Sequence, residues 1–309
     1  MSWHGDVLHY QDEEDWLAQR RAGIGASDVP KILGMSPYGD AFTVWADKVY
    51  GAEQEQTEDM LRGKRREDVI LEDFELEKGL YVRHRQLFVA HPQYSWVRAT
   101  VDGLAFESPT VDSDPVTDAI ALVEAKHDGG FARWQKVPDH HQIQVQWQML
   151  TTGLDVGFLA VWHSGRFESY ELEADRGLQN MMLDRVNDFR ARHITGGIGE
   201  RTPPEPGPST ATAQVIANLW EADPDIEVEL SADIAADVEA LRGVKIRIRD
   251  LDKEKKKLEA RIKVELQEAT VGTVGGEQVV SWKEVHRDAY TVKEARYRRL
   301  ETPKRKERS

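Results

Sequence analysis

Residues 119–126 read Ala-Ile-Ala-Leu-Val-Glu-Ala-Lys, a compact apolar run that closes on two charged side chains. A run this short and this apolar reads as a central strand. Strand side chains alternate, so Glu124 and Lys126 face one way and Ala125 the other, which holds a lysine beside a glutamate on one face of a sheet. A buried central strand needs layers around it, and the neighbouring segments supply them.

Asp12–Arg21 reads as a short helix with Trp16 and Leu17 inward, followed by a tight turn, Gly23-Ile24-Gly25-Ala26-Ser27-Asp28. Ser27 is placed to N-cap a helix through Leu33, with Pro30 in its first turn. Ala41–Tyr50 and Glu58–Lys78 are helices, the second ending at Gly79. Tyr81–Ala90 and Trp96–Thr100 read as strands, and Val101-Asp102-Gly103 as a strand end entering a turn. Ser108–Thr117 is an acidic loop. Asp139–Leu150 is helical, Gly157–His163 and Phe167–Leu172 form a hairpin about Gly165-Arg166, and Leu178–His193 is a closing helix. This order predicts an α/β domain with a mixed sheet.

Gly196–Ser209 holds four Gly and four Pro and is the expected linker. The expected domains are therefore 1–195, the linker 196–210, and an extension over 211–309. Within the extension, Ala211–Trp220 is a short helix. Asp233–Ala269 carries Val238, Leu241, Val244, Ile248, Leu251, Leu258, Ile262 and Leu266 at steps of three, four or seven, the pattern of a coiled coil or a helical hairpin. Gly272–Val285 reads as a β-hairpin about Gly275-Gly276, and Lys304–Arg308 as a basic tail.

Charge and cysteine content limit the chemistry. The net charge is −14, yet residues 242–309 hold 20 Lys and Arg against 12 Asp and Glu, a balance of +8 that leaves −22 for residues 1–241. An acidic body repels a polyanion at long range, so any nucleic acid must meet local basic groups, bound metal or the basic C-terminal part. There is no cysteine, which excludes disulfides, thiolate zinc and cysteine-ligated clusters. No apolar run is long enough to span a bilayer and the N-terminus is too acidic for a signal peptide; a cytoplasmic protein is expected.

Asp102 at a strand-to-turn corner, followed by Glu124-Ala125-Lys126 on a strand, forms the pattern D-x(n)-E-x-K. Two carboxylates on adjacent strands and a backbone carbonyl offer the hard oxygens that Mg²⁺ prefers, and a nearby lysine can orient water. By itself this pattern is more commonly a surface ion pair. Glu67 alone is equally explained by i,i+3 pairing with Lys64. Neighbouring histidines such as His140 and His141 diverge by about 100° on a helix, and no H-E-x-x-H spacing is present, so zinc is not expected. Trp134, Trp147 and Trp162 read as core, and Lys253–Lys257 as a solvated helix face.

The wider sequence resembles the lambda-type exonucleases, and especially the YqaJ-like viral recombinase family of the PD-(D/E)xK nuclease superfamily. The resemblance rests on Trp16-Leu17-Ala18-Gln19-Arg20-Arg21-Ala22-Gly23-Ile24-Gly25-Ala26-Ser27-Asp28-Val29, on Gly63-Lys64-Arg65-Arg66-Glu67, on Thr100-Val101-Asp102-Gly103, on Val123-Glu124-Ala125-Lys126, and on Pro138 with Gln144-Val145-Gln146-Trp147. Where members often carry Tyr before that last helix, this chain has His140 and His141. The resemblance implies a restriction-endonuclease-like core with a mixed sheet flanked by helices. It also implies that Asp102, Glu124 and the Ala125 carbonyl ligate Mg²⁺ (or Mn²⁺), with Glu67 as a further carboxylate. Lys126 would position water, and Gln144, or alternatively Gln146, would hold metal or water. Arg21, Ser27 and Thr100 match positions that take a terminal 5′-phosphate. Arg62, Lys64, Arg65 and Arg66 lie beside Glu67 on the same helix and are the candidates for contacting backbone phosphate.

The activity so implied is 5′→3′ exonuclease digestion of linear duplex DNA from 5′-phosphorylated ends, in a phage or prophage protein. It leaves 3′ overhangs for a single-strand annealing partner, with a homo-oligomer, a trimer by resemblance, as the expected assembly. The alternatives are a nicking or structure-specific endonuclease of the superfamily and a non-catalytic DNA-binding protein that keeps the fold.

Overall fold

The computed structural model describes residues 5–52, 58–109, 118–129, 134–163, 165–196, 201–220, 222–287 and 300–301. The basic tail and most of the acidic 108–117 loop lie outside them. The described chain forms two compact units, Met1–Trp220 and Glu221–Ser309.

The first unit runs β1 (Asp6–Val7), α1 (Glu13–Arg21), α2 (Val29–Ile32), α3 (Ala41–Tyr50), α4 (Glu58–Lys78), β2 (Tyr81–Arg83), β3 (Leu87–Ala90), β4 (Arg98–Val101), β5 (Gly103–Phe106), β6 (Ala121–Asp128), α5 (Asp139–Thr152), β7 (Val156–His163), β8 (Arg166–Glu173), α6 (Arg176–His193) and α7 (Thr210–Leu219). Five strands make the main sheet in the order β2-β5-β6-β7-β8, and β1-β3-β4 form a second, smaller sheet. β6 pairs antiparallel with β5 and parallel with β7, so the sheet is mixed and β6 is central, as its apolar run predicts.

The alternation of β6 divides the core. Ala121, Val123 and Ala125 pack with Ile70, Leu71 and Phe74 of α4 and with Phe158 and Ala160 of β7. Leu122, two residues before Glu124, belongs to the larger cluster with Val145, Trp147 and Met149 of α5. Helices thus cover both faces of one strand, the condition under which an almost wholly apolar strand is stable.

Tyr81–Ala90 is not one strand. The chain breaks at residues 84–86, where His84 and Gln86 take positive φ values of 51° and 58°, so that β2 joins the main sheet and β3 the smaller one. The crossing back occurs at Asp102, the single residue between β4 and β5. Gly103 follows it because a Cβ there would stand 2.3 Å from Val82 Cγ1 across the β2–β5 pair.

Ser27 is not the N-cap of α2. Asp28 holds that position, and its buried carboxylate instead accepts from the Gly25 N–H at 3.0 Å and pairs with the buried Lys48 ammonium at 2.8 Å. Ser27 is left exposed at the tip of the turn.

The first unit does not end at residue 195. Gly207 N–H (3.1 Å) and the Thr212 hydroxyl donate to Asp40, the residue that also caps α3. Ala211 and Val215 of α7 are buried. Residues 201–209 therefore lead α7 back to α3, and the division falls after Trp220.

The second unit holds α8 (Ala232–Leu266) and the hairpin β9 (Val271–Val274) and β10 (Glu277–Ser281). Gly275 and Gly276, with φ of 61° and 88°, form the expected turn. α8 is one unbroken helix of 35 residues, which excludes the helical-hairpin alternative.

Candidate active site

Asp102, Glu124, Lys126, Gln144, Ser27 and Thr100, six residues singled out from sequence, line one cleft of about 310 Å³. The fold brings them there by the two crossings between sheets. β5 pairs with β6 only as far as Gly103 opposite Val123. Past that point the edge of β6 is open, and Asp102 fills it: its Oδ2 accepts the Ala125 N–H at 2.9 Å. In an antiparallel ladder the N–H and C=O of one residue point to the same neighbour, so the Ala125 carbonyl also faces this edge.

Glu124 is 2% exposed. Its Oε1 accepts from Lys126 Nζ and from Gln144 Nε2, both at 2.5 Å, and its Oε2 from Gln148 Nε2 at 2.5 Å. Gln148 Nε2 also reaches the Thr100 carbonyl at 3.1 Å. Gln144 and Gln148 lie one turn apart on α5, on the face turned to Glu124. Gln146 points elsewhere, to the Glu173 carbonyl (2.6 Å) and the Asp175 N–H (2.9 Å), and ties α5 to the β8–α6 turn. Glu67 comes from α4 and is joined to Asp102 through Gln86, whose Nε2 donates to Glu67 Oε1 (2.5 Å) and Asp102 Oδ1 (3.2 Å).

The charges are strongly coupled. Burial, and then the Glu124 carboxylate, push the Asp102 carboxyl well above its ordinary range. Burial raises Glu67 also, against the Gln86 hydrogen bond, with Glu124 adding to the rise. Burial would lower the Lys126 ammonium, but Glu124 and Asp102 outweigh it and hold Lys126 above its usual value. The site is a concentration of negative charge relieved by one lysine, and its donor set of carboxylates and a carbonyl is that of a hard cation. Among the described residues no three His, Cys, Asp or Glu side chains are gathered tightly enough to enclose an ion; amide and ammonium donors hold the carboxylate oxygens.

The expected phosphate-binding residues separate. Ser27 and Thr100 line the cleft, but Arg21 does not; its Nε lies 3.7 Å from Asp47 Oδ1, against Gly51 at the end of α3. Arg20 and Arg98 take that place. Arg20 rests over the Trp16 ring at 5.6 Å, and Arg98 donates to the Gln19 and Ser95 carbonyls. Burial lowers the Arg98 pKa. Arg65 is exposed on α4, and Arg66 meets the His127 ring on β6.

His140 and His141 do not diverge as expected; their ring centroids lie 4.0 Å apart at the start of α5. Burial, then the Lys126 charge, pushes His141 down to about 2, which keeps its ring neutral against Trp134 at 5.3 Å. Trp147 is fully buried and donates to the Ile24 and Arg98 carbonyls at 3.3 and 3.2 Å. It pins the turn that carries Ser27 to the strand that carries Thr100.

A family described as the YqaJ-like viral recombinase domain matches residues 15–155. The matched segment runs from α1 through α5 and contains every cleft residue named above. The uncharacterized protein YqaJ of Bacillus subtilis (strain 168) is 27% identical over 277 residues, covering 88% of this chain and 83% of that protein. That coverage exceeds the first unit, so the likeness extends into the second. Similar solved structures include an alkaline exonuclease from Laribacter hongkongensis, with 22% identity and a TM-score of 0.45 over 58% of this chain and 91% of that one. Another is a phage-related exonuclease from Haemophilus somnus 129PT, with 11% identity and a TM-score of 0.43 over 55% and 92%.

Proposed function

We propose that this protein is a Mg²⁺-dependent exonuclease that digests linear duplex DNA from 5′-phosphorylated ends, 5′→3′. Mn²⁺ would substitute for Mg²⁺. The product would carry 3′ single-stranded overhangs for a single-strand annealing partner. The observation that carries the reading is the single cleft in which Asp102, Glu124 and Lys126 share space with Ser27, Thr100, Arg20 and Arg98. One end of it suits a hard cation and the other an anion.

Asp102, Glu124 and the Ala125 carbonyl would hold the ion, with Glu67 as the further carboxylate. Their hard oxygens and mutual repulsion, read from the raised Asp102 and Glu67 carboxyls, fit a divalent cation. When bound, it polarises the scissile phosphate and offsets the charge that builds on it. Lys126, already anchored on Glu124, orients the attacking water with its remaining ammonium donors. Gln144 and Gln148 fix the Glu124 carboxylate from two sides. Ser27, Thr100, Arg20 and Arg98 receive the terminal phosphate, Arg with a fork of donors and Ser with a hydroxyl. Hydrolysis that leaves the phosphate on the shortened strand renews the group this subsite reads. Arg65 and Arg66 stand beside Glu67 on α4, where backbone phosphates would pass.

A timed digest of 5′-labelled and 3′-labelled linear duplex, wild type against Lys126→Ala, tests activity, polarity and site together. Linear duplex should be consumed from the 5′ end by the wild type alone. Consumption from the 3′ end, or cutting of a covalently closed circle, would overturn the polarity or the end dependence.

A further inference from the structure

We propose that Gln86 is a positioning residue of the cleft: its carboxamide holds the Glu67 carboxylate against Asp102, so that both serve one divalent cation. The inference rests on the cation reading given above and names a residue that sets the strength of that site.

Three consecutive residues clamp the break between β2 and β3 to the elements around it. The His84 ring packs edge-on against Phe106 of β5, with centroids 5.9 Å apart. Arg85 Nη1 pairs with Asp68 Oδ1 of α4 at 2.6 Å. The Gln86 N–H donates to the Asp102 carbonyl at 3.3 Å. Its side chain donates, through the one Nε2, to Glu67 Oε1 at 2.5 Å and to Asp102 Oδ1 at 3.2 Å. Residues 85 and 86 thus grip residues 68 and 67 of one helix, and residue 86 carries that grip to the strand crossing at Asp102.

The backbone shows that this arrangement is specified rather than incidental. Gln86 sits at a φ of 58°, in the left-handed region where a Cβ is crowded and glycine is the undemanding residue. Its side chain is exposed, so no burial of its own surface offsets the strain. A residue other than glycine persists in such a conformation when its surroundings fix it, a pattern that gathers at functional sites. What Gln86 supplies and glycine cannot is the carboxamide. Without it, Glu67 is left on a helix face with Lys64 three residues away as a rival partner. The Gln86 hydrogen bond also favours the ionised Glu67 carboxylate against the burial that raises it.

Mn²⁺ binding to the full chain without DNA, read from loss of the free-ion paramagnetic resonance signal, tests the inference. The relevant site is the one removed by Asp102→Asn. Gln86→Gly should weaken binding there about tenfold, the size found for groups that orient metal ligands. Its melting temperature should equal or exceed that of the wild type, because glycine relieves the left-handed strain. A merely structural residue would move the melting temperature instead. In a Glu67→Ala background, Gln86→Gly should weaken binding no more than about twofold further, since the carboxylate it positions is gone. Unchanged or tighter binding in Gln86→Gly, a loss matched by a lower melting temperature, or a full tenfold loss in the Glu67→Ala background would overturn the inference and leave the cation reading standing. A wild-type chain with no Mn²⁺ site dependent on Asp102 would overturn both.

Discussion

Gln148 makes the sharpest residue-level test of the site. It is fully buried and holds Glu124 Oε2 against Thr100. Gln148→Ala would strand a buried carboxylate oxygen, so a stability loss of about 1–3 kcal/mol is expected together with a fall in kcat. Gln146→Ala should destabilise by a similar amount, since it loses its ties to residues 173–179, yet leave kcat close to wild type. Melting curves and initial rates on the two variants separate the roles. Arginine gives a second contrast: Arg98→Ala or Arg20→Ala should abolish preference for a 5′-phosphorylated end, whereas Arg21→Ala should retain it, measured as the rate ratio on phosphorylated and dephosphorylated duplex. Some of this was legible beforehand. Gln148 stands four residues from Gln144, and Arg98 stands two from Thr100 on a strand, so helical and strand periods could have found both. The choice between Arg20 and Arg21 turns on the rotation of α1 and has no local signature. Gln86 had no signal at all, because it enters the site only through the positive φ that splits residues 81–90 into two strands.

Among the elements, the turn before α2 is braced by a buried ion pair, Asp28 with Lys48, beside the Trp147 hydrogen bond to Ile24. Burial alone would raise the Asp28 carboxyl, but Lys48 and then Arg20 bring it from the ordinary 3.8 down to about 2. A depressed carboxylate adds stability above its unfolded pKa and loses it as pH falls through the folded one. About 2 kcal/mol should therefore disappear between roughly pH 4 and pH 2. Asp28→Asn should remove that part of the acid transition in a pH series of thermal melts. Element positions were read well where one physical signal dominated, as in α3, α4 and β6. They were misread where tertiary contacts decide. Asp40 ties Gly207, in what reads as a linker, to α3, and the division between two sheets breaks what reads as one strand. A fragment of residues 1–220 should thus unfold cooperatively near the temperature of the same unit in the full chain. A 1–195 fragment should melt lower, because it bares the α3 surface that Ala211 and Val215 cover.

For the molecule as a whole, the donors around Glu124 and Asp102 decide the order of events when the protein is made. Lys126, Gln144, Gln148, Gln86 and the Ala125 N–H already engage these carboxylates. These donors satisfy the carboxylate oxygens, so the acidic centre can be enclosed by folding with no cation at hand. If the proposed cation binds there, folding and loading would be separate steps, unlike a structural zinc site whose ligands assemble only around the ion. Chelation should silence the activity and shift the melting midpoint only slightly, since an ion at ten times its dissociation constant adds about 1.4 kcal/mol. Newly made chains would wait in a folded, inert form, with ambient divalent ion setting the working fraction.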